Sequence, residues 1–585
     1  MHEFKVWAPK PKKIAVKMAD QTVEMVGPDA KGWWKAKVQM AGNGTDYGFL
    51  LDDDTTPYPD PRSLWQPHGV HGTSRVYDQH AFAWKDRDWY GPPFGGAILY
   101  ELHIGTFTEG GTFDAAIERL GYLRDLGVTH IEIMPVNSFP GAQGWGYDGV
   151  ALYAVQDNYG GPDGLKRFVD AAHATGLAVI LDVVYNHFGP TGNYTGKFGP
   201  YVTDRHRTPW GDAVNFEEAG SDEVRRFFCD NALMWMRDYH IDGLRLDAIH
   251  EFMDRSAVHF LEQLSAEVET LGATLQRKLI LIAESDLNDP KIVKPIEAGG
   301  FGIDAQWSDD FHHALFTLMH MEPEGAGYYS DFGSFEKLVK ALTRIFVFDG
   351  GYSRYRNRSH GRPVDGLSAH HFISFIQNHD QIGNRAKGER LEHLVGMKRA
   401  KMAAGLLLTA PFIPMLFQGE EFAASTPYLY FADHEDEVMA KAVSEGRKKE
   451  FAAFGFANEE IADPEKVETF QRSKLDWSEV HEGKHAEMLE WFCALIKLRR
   501  HSQSLNDGDK NHVEIRYSEE KRWLEMRRGL IAVICNLGNE PATFGAMEDA
   551  RVVLSTIEGL CTVDGKVEVA ADGFAILSAE YESID

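Results

Sequence analysis

Three acidic residues, each just after a different apolar run, are the side chains of this sequence that could do chemistry together. Asp247 lies in "DGLRLDAIH" two residues after Arg245, Glu284 follows "LILIA", and Asp380 ends "FIQNHD". A retaining glycoside hydrolase needs two carboxyl groups about 5 Å apart, one as the ionised nucleophile and the other as the proton donor. The chemistry that this set predicts is therefore glycoside hydrolysis.

Each acid has a separate role in that chemistry. Arg245 can keep Asp247 ionised, as a nucleophile must be. Glu284 follows an apolar run, so we expect a dry setting and a raised pKa, which suit a general acid/base. Asp380 can bind sugar hydroxyls and favour the distorted, oxocarbenium-like state. Side chains that could stack on the same sugar or bind its hydroxyls are Tyr147, Asp148, His187 and His379.

Single motifs of this kind also have a structural interpretation. The pair Arg245 and Asp247 could be a surface ion pair, and Asp182 in "DVVYNH" is better interpreted as a buried support. At least one of Glu420 and Glu421 is expected to be a solvated charge at the rim. The structural interpretation does not explain three acids at three different strand ends, because unpaired carboxylates that converge are costly unless function requires them.

The elements that must position these acids follow from the apolar runs. From about Ala97 onward, short apolar runs alternate with helical patterns, and one helical pattern stops at Gly127. Such alternation predicts a (β/α)8 barrel, whose chemistry sits at the C-terminal ends of the strands. The eight predicted strands lie in "AILYELHI", "THIEIMPV", "AVILDVVYNH", "GLRLDAIH", "LILIAES", "GIDAQWS", "HFISFIQNHD" and "PFIPMLFQGEE".

Three domains are predicted. Residues 1–93 alternate apolar and polar residues, as in "KKIAVKM", and are interpreted as an N-terminal β-sandwich that resembles carbohydrate-binding domains. Residues 94–505 form the catalytic barrel, with loop insertions near 188–220 and 423–476. Residues 506–585 return to strand patterns without a cluster of acids, histidines or serines, and are predicted to be a structural all-β domain.

Composition excludes several classes of partner. A net charge of −28 argues against nucleic acid and anionic membranes, because phosphate binding needs a basic footprint. A neutral polar substrate suits this charge. The four cysteines are far apart without CxxC spacing, which favours buried free thiols over disulfides or a zinc site. No signal-peptide pattern or run of membrane-spanning length occurs, so we expect a cytoplasmic protein.

Four motifs carry a resemblance to a known family. "DVVYNH", "GLRLDAIH", "AESD" and "FIQNHD" resemble, in this order, the four signature regions of the α-amylase family of glycoside hydrolases. The resemblance implies that Asp247 is the nucleophile, Glu284 the general acid/base and Asp380 the transition-state stabiliser. It also implies a set of residues around the attacked glucose: Arg245, Tyr147, Asp148, His187, His379 and, beside them, His250.

Further motifs resemble the trehalose-releasing branch of that family, among them "GWGYDGV", "SDDFHH" and "QNHDQIGNR". This branch hydrolyses the α-1,4 bond next to the terminal trehalose of a malto-oligosyltrehalose, which a malto-oligosyltrehalose synthase supplies. Those are the substrate and the pathway partner that the resemblance implies. Candidates for contacting the trehalose end are Asp310, His312, His313, Gln381, Asn384 and Arg385, each with ordinary loop packing as the alternative.

Two other functions stay open at this point. A glycogen branching or debranching enzyme of the same family would share every catalytic residue. A carbohydrate-binding or scaffold protein on an inactive barrel would be expected to lack one of the three acids, and here all three are present. Asn186 stands where some amylases bind calcium, but the loop that follows it offers few acids, so we predict no metal and no cofactor.

Overall fold

The computed structural model describes residues 1–320, 327–452 and 461–579. The N-terminal part consists of two antiparallel sheets, one of β1 with β4 and one in the order β3-β2-β5-β6. In β4, alternate side chains from Trp34 to Val38 are buried, which is the period-two pattern of a half-buried strand. The strands are β1 (His2–Trp7), β2 (Ile14–Met18), β3 (Thr22–Glu24), β4 (Trp33–Val38), β5 (Asp46–Leu51) and β6 (Ser74–Arg75).

The eight predicted barrel strands are confirmed. Each lies inside its predicted run, consecutive strands pair in parallel, and the last pairs with the first to close the barrel. They read as continuous apolar runs because parallel barrel strands are covered on both faces. The strands are β7 (Leu99–Leu102), β8 (His130–Ile133), β9 (Ala178–Val183), β10 (Gly243–Leu246), β11 (Ile280–Ala283), β12 (Ala305–Trp307), β13 (Phe372–Ser374) and β14 (Ile413–Phe417).

Helices connect the barrel strands and pack outside them. The predicted stop at Gly127 is confirmed: this residue has φ 101°, and a Cβ there would lie 2.6 Å from Ile496 Cγ2. The helices are α1 (Ile104–Phe107), α2 (Phe113–Ile117), α3 (Leu120–Leu126), α4 (Gly161–Thr175), α5 (Thr195–Phe198), α6 (Ser221–Asp238), α7 (Phe260–Leu275), α8 (Asp310–His320), α9 (Phe335–Arg344), α10 (His379–Gly383), α11 (Leu391–Thr409), α12 (Glu437–Ala452), α13 (Val467–Arg472) and α14 (Gly483–His501).

The insertion after β9 joins the N-terminal sheets to the barrel rim. It contains α5 and a hairpin of strands Val202–Thr208 and Gly211–Val214. The ring of Tyr201 packs edge-on against Trp7, with centroids 5.1 Å apart, and Lys10 donates its backbone N–H to the carbonyl of Phe198. The excursion is therefore anchored on both sides rather than a free loop. The insertion after β14 carries α12 and α13, and residues 453–460 of it lie outside the described part.

The C-terminal region is all-β, as predicted. A five-stranded antiparallel sheet in the order β15-β16-β17-β21-β19 lies against α11, and β18 pairs with β20. The strands are β15 (Val513–Ser518), β16 (Trp523–Arg528), β17 (Ile531–Asn536), β18 (Ala542–Gly545), β19 (Arg551–Ser555), β20 (Lys566–Val569) and β21 (Gly573–Ser578). The domain limits at 93 and 505 remain our proposal. Within the three described ranges, no helix is both long and apolar enough to cross a membrane.

Candidate active site

The buried guanidinium of Arg245 joins three carboxylates at the C-terminal end of the barrel. Its Nη1 donates to Asp182 Oδ2 at 2.7 Å and to Asp247 Oδ1 at 2.9 Å, and its Nη2 lies 3.0 Å from Glu284 Oε2. The side chain is fully buried and sits 4.2 Å over the Trp307 ring. A surface ion pair is therefore the wrong interpretation of this arginine.

Strand register explains why the acids converge on one arginine. Asp182 on β9 is the register partner of Arg245 on β10, and Arg245 is in turn the partner of Ile282 on β11. Asp247 and Glu284 follow the last residues of their strands, so both carboxylates project just above the level of the guanidinium. Parallel strands that end together place these groups at one edge.

The carboxylate of Asp247 is held from both sides. Its Oδ1 accepts from Arg245 and its Oδ2 accepts from Asn186 Nδ2 at 2.6 Å, while the same amide also reaches the Asp247 carbonyl at 2.9 Å. Its side chain is 11% exposed. These contacts fix the direction of the carboxylate.

Glu284 occupies a wetter position than its sequence context predicts. Its side chain is 24% exposed, more than that of Asp247, so the expectation of a dry setting is wrong. The apolar run before it belongs to β11, which ends at Ala283, and Glu284 already lies beyond the packed strand. Ala248 N–H donates to Glu284 Oε2 at 2.8 Å. Both contacts fall on Oε2, so Oε1 is the oxygen that can carry a proton.

Asp380 lies on the short helix α10 and is the most exposed of the three acids, with 44% of its side chain accessible. Asn384 Nδ2 donates to its Oδ1 at 3.2 Å, and His379 Nε2 lies 3.6 Å from the same oxygen. It is thus available to a ligand while it remains close to a histidine.

Aromatic rings form one wall beside the acids. Tyr147 stacks on His379 with centroids 5.2 Å apart, and its O–H donates to Asp182 Oδ2 at 2.7 Å. His187 stacks on Trp210 at 4.8 Å and its Nε2 lies 3.0 Å from the Tyr147 carbonyl. Trp210, at the tip of the hairpin and 50% exposed, was not predicted. The signal for it was a tryptophan between the turn residues of "TPWGD".

The insertion after β14 completes this wall. His434 Nε2 lies 3.9 Å from Asp148 Oδ2, and its Nδ1 lies 2.8 Å from Glu465 Oε1. Burial raises the pKa of Asp148. Asp433 accepts the backbone N–H of Ala142 at 2.7 Å and so ties the insertion to the loop that carries Tyr147.

His250 lies close behind Asp247, on the turn Ile249–Glu251 that follows β10. It is half-buried, and within the described residues its Nδ1 is buried without a hydrogen-bond partner. The structure therefore places it near the nucleophile without giving it a contact in the network of Arg245.

Two candidates for the trehalose end belong to the fold instead. Asp310 is buried, and its Oδ2 accepts from Asn288 Nδ2 at 2.9 Å and from Val347 N–H at 2.6 Å. His312 is buried between the Ile376 carbonyl and the Tyr329 hydroxyl. The structure therefore corrects both predictions, because each side chain is buried and forms its hydrogen bonds with neighbouring parts of the fold. A sequence motif does not reveal these partners.

The residue just before these two was missed. Asp309 follows β12, and burial, together with the charges of Glu284, Asp310 and Asp380, raises its pKa to about 8. Gln381 Nε2 lies 3.5 Å from its Oδ1. The signal was the doubled acid of "SDDFHH", of which the prediction named only Asp310.

The other candidates for the trehalose end spread around α10. Asn384 is exposed, and Arg447 from α12 donates to its Oδ1 at 3.1 Å. Arg385 is half-buried over the Phe316 ring, 5.6 Å from its centroid. His313 lies at a tilt to the Phe332 ring, with centroids 5.0 Å apart, and is half-buried. Gln381 and Asn384 therefore stay close to the acids, whereas Arg385 and His313 face the packing of α8.

Glu420 and Glu421 are not rim charges. Both are buried, and Glu421 accepts the hydroxyls of Tyr100 at 3.1 Å and Tyr122 at 2.9 Å. Burial raises the pKa of both carboxyl groups, that of Glu421 to about 7. The expectation of a solvated charge is wrong because the turn after β14 folds back under α14.

Both polar atoms of the Asn186 side chain are engaged by its neighbours. Its amide is engaged by Asp247, and its Oδ1 contacts His187 Nδ1. In the part of the chain that the structure describes, no group of three or more histidine, cysteine or acidic side chains is arranged to hold a metal. All four cysteines are free, and Cys561 is exposed rather than buried.

Comparison with known proteins yields one family. Residues 75–205 match the family model "Alpha amylase, catalytic domain". A malto-oligosyltrehalose trehalohydrolase from Mycobacterium tuberculosis (strain CDC 1551 / Oshkosh) is 46% identical over 584 residues, which cover 99% of both chains. Another from Rhizobium sp. (strain M-11) is 46% identical over 92% of this chain and 91% of its own. A crystal structure of an alpha amylase candidate from Salmonella typhimurium superposes with a TM-score of 0.90 at 35% identity, covering 98% and 97% of the two chains.

Proposed function

The chain belongs to the malto-oligosyltrehalose trehalohydrolases of the α-amylase family, and from this premise we propose that its barrel releases trehalose from malto-oligosyltrehalose. It is a retaining glycoside hydrolase that cleaves the α-1,4-glucosidic bond next to the terminal trehalose unit. The observation that supports this most directly is the single guanidinium of Arg245, which gathers Asp247 and Glu284 within one hydrogen-bond length of itself. Two carboxyl groups that share one guanidinium are close enough for the retaining mechanism.

The first half of the reaction forms a bond between the enzyme and the sugar. An oxygen of Asp247 attacks the anomeric carbon of the glucose in front of the trehalose unit, while the bond from that carbon to the trehalose oxygen breaks. Glu284 donates its proton to that oxygen, so trehalose leaves as a neutral sugar. Bound sugar covers Glu284 and removes water from it, which favours the protonated form that the step needs.

The second half uses water. Glu284, now a carboxylate, takes a proton from a water molecule while the oxygen of that water bonds to the anomeric carbon. The ester bond to Asp247 breaks, the carboxylate returns to Arg245 and Asn186, and a maltodextrin with the α-configuration is released. One water is consumed in each cycle and Glu284 is protonated again, so the enzyme ends as it began.

The remaining residues hold the attacked glucose. Asp380, with the largest exposed fraction of the three acids, supplies negative charge to the oxocarbenium-like state. Tyr147 offers its ring as a platform, since its hydroxyl is held by Asp182 and its face by His379. His187 and Asp148 are proposed to bind hydroxyls at the same wall, together with the exposed ring of Trp210.

A branching or debranching enzyme would use the same three acids, so these acids do not separate the alternatives. Family membership favours trehalose release, because the relatives that match over nearly the whole length of both chains are named malto-oligosyltrehalose trehalohydrolases. We further propose a cytoplasmic setting, which agrees with four free cysteines. The substrate carries a trehalose unit at the end of a glucan, so we propose that a malto-oligosyltrehalose synthase supplies it.

The decisive experiment compares two substrates of equal length, maltotriosyltrehalose and maltopentaose. Trehalose and maltotriose should accumulate from the first, and the second should be cleaved far more slowly. Proton NMR in the first minutes should show α-maltotriose before mutarotation, as retention requires. Incubation with amylose is the matched assay for the alternative: new α-1,6 branches in the absence of trehalose release would replace our proposal with the branching reaction.

A further inference from the structure

Two buried glutamates lie side by side beneath the active site. Glu101 on β7 is the register partner of Glu132 on β8, and each is 1% exposed. Their surroundings differ. Within the described residues both carboxylate oxygens of Glu132 lack a hydrogen-bond partner, whereas both oxygens of Glu101 accept from one residue, His379. One strand pair therefore holds a partnered and an unpartnered copy of the same side chain.

Glu101 accepts two hydrogen bonds from His379. Its Oε2 accepts the backbone N–H of His379 at 3.0 Å, and its Oε1 accepts the ring Nδ1–H at 2.5 Å. Both side chains are 1% exposed, so water does not compete with either contact. A buried carboxylate in this geometry fixes the direction of the imidazole and the position of its Nδ1 proton.

The directions of the next hydrogen bonds give the charge of His379. Tyr147 donates its hydroxyl proton to Asp182 Oδ2 at 2.7 Å, so the Tyr147 oxygen is left to accept. His379 Nε2 lies 2.9 Å from that oxygen, and we assign a hydrogen to Nε2 because this oxygen then accepts it. Since Nδ1 donates to Glu101, both ring nitrogens are protonated, which makes the ring an imidazolium. In agreement, the charges of Glu101 and Asp380 outweigh burial and raise the pKa of His379 to about 9.

We propose that Glu101 is a positioning residue for the reaction, one that holds His379 as an imidazolium with its Nε2–H directed at Tyr147 and Asp380. The inference rests on the proposed function, because it assigns Glu101 a part in that reaction. The imidazolium Nε2 lies 3.6 Å from Asp380 Oδ1, and its hydrogen bond to the Tyr147 oxygen fixes the sugar platform of Tyr147. The negative charge of Glu101 offsets the positive charge of the His379 ring, so the pair adds little net positive charge beside the oxocarbenium-like state.

Several charged or titratable groups face His379 from the elements around it. Burial opposes its protonation, and so does the charge of Arg245. Burial lowers the pKa of His103 to about 3, so this neighbour is neutral near pH 7. Asp380 and Glu101 favour it, with Glu101 the larger of the two. Loss of the Glu101 charge should therefore leave the ring neutral near pH 7. The full set comprises Glu101, Glu132, His103, Tyr147, Asp182, Arg245 and Asp380.

The test uses Glu101→Gln, with Glu132→Gln as the matched control on the neighbouring strand. On maltotriosyltrehalose, E101Q should lower kcat by about 10- to 100-fold, as the loss of an orienting carboxylate does, while KM changes little. E132Q should retain kcat, because the pKa of Glu132 is raised by burial and by Glu101, so this side chain is already neutral. Glu101→Asp, which keeps the charge, should recover part of the loss. Equal losses in E101Q and E132Q would overturn the proposal and leave a packing role.

A pH profile separates positioning from packing. Maltotriosyl fluoride is the substrate of choice, since its leaving group needs no proton from Glu284. The alkaline limb of kcat/KM should then follow His379, and E101Q should move it down by about 1 to 3 pH units. The same limb in E101Q and wild type would contradict the inference, even if kcat fell.

One measurement needs no change at Glu101 and remains decisive if E101Q does not fold. In the wild-type protein labelled with ¹⁵N-histidine, the His379 signal is identified by its absence in His379→Gln. We expect imidazolium shifts at pH 7.5, and neutral imidazole shifts would overturn the inference. Absence of trehalose from wild-type digests would refute the proposed function instead, and the NMR result would stand separately.

Discussion

Strand β10 has an aspartate at each end, and the two aspartates have different roles. The side chain of Asp242, before the strand, is 5% exposed, and that of Asp247, after it, is 11% exposed. Asp242 accepts from His173, Trp89, Arg277 and the backbone of Val179, all within 2.9 Å. All four donors belong to the fold, so the Asp242 carboxylate has a structural role. Asp247 has fewer partners and lies beside exposed acids, so its carboxylate can act on a ligand.

The segment before β7 closes the lower end of the barrel. Trp89 stacks on His173 at 4.3 Å and Trp84 stacks on His240 at 3.8 Å, while Asp86 contacts both histidines. Nothing comparable covers the described part of the upper end, where Glu284 and Asp380 remain accessible. Asp242 and Asp247 are both largely buried, so burial does not separate the structural aspartate of β10 from the reactive one; the difference is that donors of the fold surround Asp242, whereas Asp247 lies beside accessible acids.

Asp247→Asn should have the largest effect on activity. It removes the nucleophile but keeps the contact with Asn186, so kcat should fall by on the order of 10⁴-fold or more, with the thermal midpoint nearly unchanged. Trehalose release and a thermal melt on the same preparation measure both. A rate within tenfold of wild type would remove Asp247 from its assigned role.

Glu284→Gln should come next. Without a proton donor, hydrolysis of maltotriosyltrehalose should slow by about 10²- to 10⁴-fold. Maltotriosyl fluoride, which needs no protonation of its leaving group, should be cleaved at a rate much closer to that of wild type. Both rates are measured on one enzyme preparation, and an equal loss on the two substrates would mean that Glu284 is not the acid.

Asp242→Asn should reverse the pattern of Asp247→Asn. It leaves the buried Arg277 without its anion and His173 with Asp86 alone, which should cost about 3 to 5 kcal/mol of stability. The kcat of the folded enzyme should stay close to that of wild type. Urea denaturation followed by tryptophan fluorescence gives the first quantity. Asp125→Asn, at an exposed ion pair with Arg124, is the matched control and should be neutral.

The pH dependence of stability should be the smallest effect and belongs to the lower end. Burial disfavours the charge of Asp242, but the hydrogen bonds from His173 and Trp89 and the charges of His173 and Arg277 together outweigh it and lower the pKa of Asp242 to about 2. Its contribution to stability is therefore present above about pH 4 and is lost as pH falls. Hydrogen bonds from His173 to Asp242 and Asp86 likewise outweigh burial and raise the pKa of His173, so its contribution is full below about pH 6.5 and is lost as pH rises.

His173→Gln tests that window. The free energy of unfolding of the wild type, from urea denaturation, should exceed that of His173→Gln most between about pH 4 and 6.5. This difference should shrink on the alkaline side, by about 1 to 2 kcal/mol in all. The kinetics of trehalose release at each pH serve as the control for the upper end. An advantage that stays constant from pH 5 to 9 would show that His173 acts by packing and not by its charge.

Much of the fold was predictable because each barrel strand is covered on both faces and so appears as an unbroken apolar run. Asp247, Glu284 and Asp380 could be found because strand ends in such a barrel share one edge. Glu101 could not: inside "YELHI" it looks like any polar residue of a strand. Asp309 and Asp310 likewise differ only in which of them turns into helix α8 and meets Asn288.

The sequence by itself determined the order of the strands, the chemical types at their ends and the family to which the chain belongs. The charge of each group was decided only by the tertiary structure. Glu101 is paired and Glu132 is not, although they are register partners, because His379 reaches one of them from 278 residues away. Electrostatic and hydrogen-bond energies depend on separations of a few ångströms, and the folded chain alone sets those distances.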